Sequence, residues 1–211
     1  IGELVERGAK PIFLTHIGRP KKREAQFSTK RLVPIVKKAI GMNIVYLEGS
    51  VTKAKDLKAM QKQIQDAEPG TCFLLENVRF EKKETLNDKS LAKAYASLGG
   101  IFVNDAFASC HRKHTTVVGL ASLMESYAGP ALIDEVTNLS KLLKKTASPY
   151  LAILGGKKLT TKASIIKSLT KKVDTLCIGG AMAALFIKMH NHSIGASYYE
   201  AEALPIVKKL L

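Results

Sequence analysis

The chain is poor in the residues that build extracellular staples, base-stacking platforms and membrane spans. Only three of its 211 residues are cysteine: Cys72, Cys110 and Cys177. An odd, widely spaced set gives neither a disulfide framework nor metal-ligand spacing. Cys72 and Cys177 lie in apolar runs and read as core, so a reducing compartment, the cytoplasm, is expected. Tryptophan is absent and aromatic residues make up 6% of the chain, so surfaces on which bases could stack are scarce. No apolar run approaches the roughly 20 residues of a membrane-spanning helix, and no signal-peptide pattern opens the chain. Acid is scarce too. Against 33 Lys and Arg stand 18 Asp and Glu, a net charge of +15. That excess calls for anionic partners: phosphorylated small molecules, nucleic acid or an acidic surface. The first residue is Ile1 rather than Met, inside a helical pattern, so further chain is expected upstream.

What is present is ordinary globular material, 46% hydrophobic, enough for a real core in one large domain or two small ones. Short apolar runs alternate with amphipathic stretches. Ile1 to Gly8 reads as a helix and Pro11 to Thr15 as a strand. A helix is expected from a Ser28 cap to Ile40, with Pro34 as a kink and Gly41 as its stop. Ile44–Leu47 is a strand. Lys53 to Ala67 is a helix with Leu57, Met60 and Ile64 on one face. Cys72–Leu75 is a strand, Leu86 to Leu98 a helix, and Ile101 to Val103 a strand. Tyr127 to Pro130 reads as a break. A long helix follows from Ala131 to Lys145, its apolar face Leu132, Val136, Leu139 and Leu143, ended by Ser148-Pro149. Tyr150 to Leu154 is a strand, with a helix to Leu169. Leu176 to Ile178 is a strand, with a helix to Met189, and a last helix opens at Ser197 and runs to Leu211. This alternation is the βαβ signature of a parallel sheet.

Chemistry collects at the ends of the strands, where open α/β sheets bind their ligands. Three clusters, each after a predicted strand, offer a guanidinium: Arg19 in His16-Ile17-Gly18-Arg19-Pro20, Arg79 in Glu76-Asn77-Val78-Arg79-Phe80, and Arg112 after Asn104-Asp105-Ala106-Phe107. Together they make a basic cup suited to a phosphate or carboxylate, to which Lys113, His111 and His114 add donors or charge. A fourth cluster is a different device. Gly155-Gly156, followed by Lys158 and Lys162, lets backbone N–H groups approach an anion, and the helix after it is expected to aim its positive end there. It is neither a Walker A loop nor a dinucleotide fingerprint. A metal site at His111, His114 and Asp105 lacks further ligands at finger or zincin spacing. A Cys110–His111 nucleophile lacks a third partner.

These residues resemble those of the phosphoglycerate kinase family. His16 to Pro20 is similar to its His-x-Gly-Arg-Pro turn, and Glu76 to Phe80 to its Glu-Asn-x-Arg-Phe. Asn104 to Phe107 with His111-Arg112 is similar to its Asn-Asp-Ala-Phe-Gly-Thr-Ala-His-Arg. Gly155 to Lys162 is similar to its Gly-Gly-x-Lys-Val-Ser-Thr-Lys. The resemblance covers essentially the whole chain. It implies reversible phosphoryl transfer from 1,3-bisphosphoglycerate to ADP, giving ATP and 3-phosphoglycerate, with Mg²⁺. It implies an α/β fold of two doubly wound parallel-sheet, Rossmann-like three-layer domains joined by a long helix, the second domain truncated here. On that pattern residues 1–130 form a phosphoglycerate-binding domain, 131–148 the interdomain helix and hinge, and 149–211 the start of a nucleotide-binding domain. His16, Arg19, Arg79, His111 and Arg112 would bind phosphoglycerate. Lys158, with Arg112, would act catalytically, neutralising the phosphoryl group in flight. Lys162 would hold nucleotide phosphate, and Gly155, Gly156, Gly179 and Gly180 would line the nucleotide side.

The chain departs from the pattern at Ala108, where the family usually has Gly, at Cys110, where it has Ala, and at Ala181, where it has the third Gly of a Gly-Gly-Gly turn. The family's first strand, its later nucleotide loop and its acidic metal ligand fall outside the 211 residues. The Mg²⁺ is therefore expected to arrive with ADP or ATP rather than on a protein ligand of this chain. No membrane or nucleic-acid partner is expected, and a monomer is. The competing reading is a non-catalytic basic α/β module for nucleic acid or another polyanion, supported by the charge. A nicotinamide-dependent dehydrogenase lacks its fingerprint.

Overall fold

A computed structural model describes residues 1–142 and 147–210. The chain forms two compact units, Ile1–Thr137 and Asn138–Leu211. The boundary falls within a helix. In the first unit the order is α1 (Gly2–Glu6), β1 (Ile12–Phe13), α2 (Val33–Ile40), β2 (Ile44–Leu47), α3 (Ala54–Asp66), β3 (Cys72–Leu75), α4 (Lys89–Ala96), β4 (Ile101–Asn104) and β5 (Glu125–Ala128). The connecting helix is α5 (Pro130–Lys141), and the second unit holds β6 (Leu151–Gly155), α6 (Ala163–Leu169), β7 (Thr175–Gly179), α7 (Ala181–Met189) and α8 (Leu204–Leu210).

Every strand pairing among the described residues is parallel. β3 lies between β1 and β2, β4 pairs with β5, and β6 pairs with β7. All four residues of β3 are buried, as a continuous apolar run covered on both faces should be. Around it the first core gathers Leu47, Val51, Met60, Val78, Leu91, Tyr95 and Leu120. The second unit has its own core of Leu159, Ile166, Met182, Leu185, Ala203 and Val207.

Several elements differ from expectation for local reasons. Pro34 does not kink a helix but sits in the first turn of α2, where its missing N–H is one that a helix start leaves free anyway. Ser28 caps a separate 3-10 turn, Thr29–Leu32, through the Lys30 amide. The helix expected from Leu86 starts at Lys89, because Asn87 adopts a left-handed backbone and Asp88 caps the helix by accepting from the Leu91 amide at 2.9 Å. The break at Tyr127 is the strand β5; only Gly129 interrupts before α5. The end of the long helix at 143–145 lies outside the described residues, and α5 buries none of its residues. The last helix begins at Leu204, after a 3-10 turn at Ala201–Ala203 rather than at Ser197, and Leu211 lies outside the described residues. Cys177 is exposed rather than core: it sits with Leu151 and Ile153 on the uncovered side of the β6–β7 pair.

Candidate functional site

The site grows from the carboxyl end of β3. Glu76 and Asn77 follow it and spend their polar atoms on neighbouring loops. Glu76 Oε1 accepts from the Asn77 amide at 2.6 Å and from the Thr29 amide at 2.9 Å, and Oε2 accepts from Ser28 Oγ at 2.9 Å. Burial pushes the Glu76 carboxyl up, but these amides and the Tyr46 and Ser28 hydroxyls outweigh it and leave it below its ordinary value. Burial pushes the neighbouring Tyr46 up to about 12. Asn77 is almost fully buried. Its Nδ2 donates to the carbonyls of Ile17 at 2.9 Å and Phe27 at 2.8 Å, and its Oδ1 accepts from the Arg79 amide. The turn carrying His16 and Arg19 is thus tied to the turn carrying Arg79. Gly18 sits between them at φ +63°, where a Cβ would stand 2.7 Å from the Phe27 ring. Arg79 Nη1 donates to the Gly18 carbonyl at 2.6 Å, and its buried Nε has no partner among the described residues.

The loop after β4 is fixed at both ends. Upstream, Asp105 accepts from the Leu132 amide at 3.0 Å and so caps α5, while Asn104 accepts from the Ala106 amide and donates to Cys110 Sγ at 3.4 Å. Downstream, the buried Thr115 donates to the Lys83 carbonyl at 3.1 Å and accepts from the Asp88 amide. Thr116 donates to the buried Glu84 through its hydroxyl at 2.5 Å and its amide at 3.2 Å. His111 is exposed, Arg112 and His114 half-buried.

Electrostatics locates these groups in one field. Burial and then Arg79, Arg112 and His114 lower the pKa of His16. Burial and then Arg79, Arg112 and His111 lower that of His114. Burial followed by Arg112 and Arg19 lowers that of Arg79, with Glu84 pulling the other way. The structure therefore places His16, Arg19, Arg79, His111 and Arg112 within one another's fields, together with His114, which the sequence offered both as a donor to the cup and as a metal ligand. Positive charge is concentrated here, and among the described residues the buried Arg79 Nε is left without a partner.

In the second unit, the glycine pairs end adjacent strands in register, Gly155 opposite Gly179. The Met182 amide donates to the Gly156 carbonyl at 3.2 Å. Gly180, at φ +64°, lies so close that a Cβ would be 3.4 Å from that carbonyl oxygen. The helix expected after the Gly155 to Lys162 cluster is α6, which starts at Ala163; the helix that begins directly after a glycine is α7, after Gly180. Lys158 is exposed and Lys162 half-buried. Glu200 accepts from the Thr160 hydroxyl at 2.6 Å and amide at 3.1 Å. Those bonds, joined by the field of Lys158, hold its carboxyl below the ordinary value. Among the described residues no group of three or more His, Cys, Asp or Glu is arranged to hold a metal ion. Nor is any helix among them long and apolar enough to cross a membrane.

A sequence model of the phosphoglycerate kinase family matches residues 1–211. The phosphoglycerate kinase of Thermus thermophilus is 40% identical over 214 residues, covering 99% of this chain and 52% of that protein. That of Roseiflexus castenholzii is 36% identical over 208 residues, again 99% and 52%. The solved phosphoglycerate kinase of Coxiella burnetii superposes with a TM-score of 0.80 at 34% identity, over 99% of this chain and 51% of that one. That of Pyrococcus horikoshii OT3 shares the fold with the same TM-score at 24% identity, over 92% and 49%. The chain spans about half the length of the curated relatives it matches.

Proposed function

Because this chain belongs to the phosphoglycerate kinase family, we propose that it forms the phosphoglycerate-binding part, and the start of the nucleotide-binding part, of an enzyme that moves a phosphoryl group between 1,3-bisphosphoglycerate and ADP. The observation that carries this reading is the cup: His16, Arg19, Arg79, His111 and Arg112 share one positive field, and the buried Arg79 Nε is without a partner among the described residues. Phosphoglycerate brings a phosphate and a carboxylate to such a cup, where arginine forks bind each with two parallel donors. With so little covalent chemistry needed, the residues act by positioning and by neutralising charge.

On this reading residues 1–130 hold phosphoglycerate, 131–148 connect, and 149–211 begin the nucleotide side. Gly155, Gly156, Gly179 and Gly180 give phosphates close access to backbone, Lys162 holds a nucleotide phosphate, and Lys158 neutralises the group in transfer, helped by Arg112. The donors in the second unit fit anionic phosphate rather than a cation. Mg²⁺, which would screen the nucleotide's charge, therefore enters with ADP or ATP. A monomer in a reducing, cytoplasmic setting completes the proposal. The nucleic-acid reading is not favoured beside the family assignment.

The test is a titration of the chain, followed by NMR, with 3-phosphoglycerate and separately with a single-stranded oligonucleotide at physiological salt. Saturable shifts at His16, Arg79 and Arg112 with the small molecule, weakening as salt rises, are expected. Preference for the oligonucleotide would overturn the reading. Arg112→Ala should weaken 3-phosphoglycerate by about tenfold or more, the loss of a hydrogen bond between charged groups. The 211 residues alone should not reach roughly 1 s⁻¹ in a coupled assay with ADP or ATP and Mg²⁺, since both reactants must be held in line.

A further inference from the structure

Arg79 and Arg112 reach the cup from segments far apart in sequence, and both carry positive charge. Something must hold their turns together while the cup is empty. Arg79 lies in the 3-10 turn Val78–Phe80, and Glu84 opens the next one, Glu84–Leu86. The two turns are bonded in series, the Glu81 amide to the Val78 carbonyl at 3.2 Å and the Glu84 amide to the Glu81 carbonyl at 2.9 Å. The position of Glu84 is thus fixed relative to Arg79. The Glu84 side chain is 1% exposed, yet none of its bonds goes to an arginine or lysine among the described residues. It is spent on Thr116, at the start of the helical turn Thr115–Gly119. There it takes the Thr116 hydroxyl at 2.5 Å and the Thr116 amide at 3.2 and 3.3 Å, with His114 Nδ1 3.9 Å away. Thr116 stands four residues after Arg112, and between them the backbone is tightly turned, the His114 amide bonding the Arg112 carbonyl at 3.0 Å.

We propose that Glu84 is a positioning residue of the cup: its buried carboxylate clamps Thr116 and so sets the turn that carries Arg112 against the turn that carries Arg79. This rests on the reading of the cup as the phosphoglycerate site. Burying a carboxyl is costly unless its lone pairs are satisfied, and Glu84 satisfies them on one residue of one loop. Its burial raises its pKa, against the Thr116 bonds and the field of Arg79. The clamp works by hydrogen-bond acceptance, so an amide oxygen can replace the carboxylate.

The 211-residue chain and four variants, Glu84→Ala, Glu84→Gln, Thr116→Val and Thr116→Ser, are each titrated with 3-phosphoglycerate and with inorganic sulfate, and their thermal unfolding is recorded. Glu84→Ala and Thr116→Val are expected to weaken both ligands by about tenfold or more, with Glu84→Gln and Thr116→Ser within about threefold of the parent. The amide resonances of residues 111–116 should move in the first pair and return in the second. Should Glu84→Ala fail to fold, the Thr116 pair decides alone. Parental affinity in the Ala or Val variants overturns the proposal. So does failure of Gln and Ser to rescue, which would make Glu84 a generic core residue. If the parent binds sulfate but not 3-phosphoglycerate, the substrate assignment falls, and the sulfate affinities still decide the clamp. A parent that binds neither overturns both.

Discussion

Asn77 shows how a residue can matter to a site without touching a ligand. Removing its side chain leaves the Ile17 and Phe27 carbonyls without their donor in a part-buried place. Asn77→Ala should therefore destabilise the first unit by about 2–4 kcal/mol, two such losses, and denaturant unfolding measures it. The two histidines give a pH signature. His16 and His114 titrate below their ordinary 6.5 in the folded chain. Between those lowered values and about 6.5 the unfolded chain binds more protons than the folded one. Their contribution is thus complete above that window and declines as pH falls through it. An anion in the cup offsets the neighbouring guanidinium charge, so inorganic phosphate should raise both pKa values in an NMR titration; unchanged values would mean that no anion enters. Arg19, Arg79 and Arg112 were legible in the sequence because each follows an apolar run. Glu84 was not: its partner Thr116 is 32 residues away, and no local pattern announces a non-local hydrogen bond.

Among the elements, α5 depends on a residue from another element. Asp105, in the loop after β4, caps it through the Leu132 amide, and Gly129 leaves room for that carboxylate. A Cβ on Gly129 would stand 2.4 Å from Asp105 Cγ and 2.5 Å from its Cβ, which no side-chain rotation relieves. Asp105→Ala should cost about 0.5–2 kcal/mol, the range for a lost cap. Gly129→Ala should cost at least as much, and in the double variant the two losses should fall short of adding, because both remove one interaction. Circular dichroism melts of the three variants test this. The central strand β3 was readable from Cys72-Phe73-Leu74-Leu75 alone. β5 was not, since Glu125-Ser126-Tyr127-Ala128 is exposed throughout and shows no alternation to read. Cys177 misled because an apolar run predicts burial on both faces, whereas β7 covers only one.

Across the whole chain, each unit has its own core, and β6 leaves Leu151 and Ile153 exposed. Ile153 is 76% exposed. Ile153→Lys should change stability by no more than about 0.5 kcal/mol while raising the concentration at which light scattering first detects aggregates. The cup also has a history in time. Its turns are joined by bonds that span 60 residues for Asn77 to Ile17 and 61 for Arg79 to Gly18. Ends so far apart meet only after the intervening strands have paired, since the entropy of closing that loop must be met before either bond gives anything back. In a refolding experiment the far-ultraviolet signal should rise first and the capacity to bind an anion later. A binding-competent cup is thus a marker of completed folding, and a chain emerging from a ribosome would carry its helices well before it could hold a ligand.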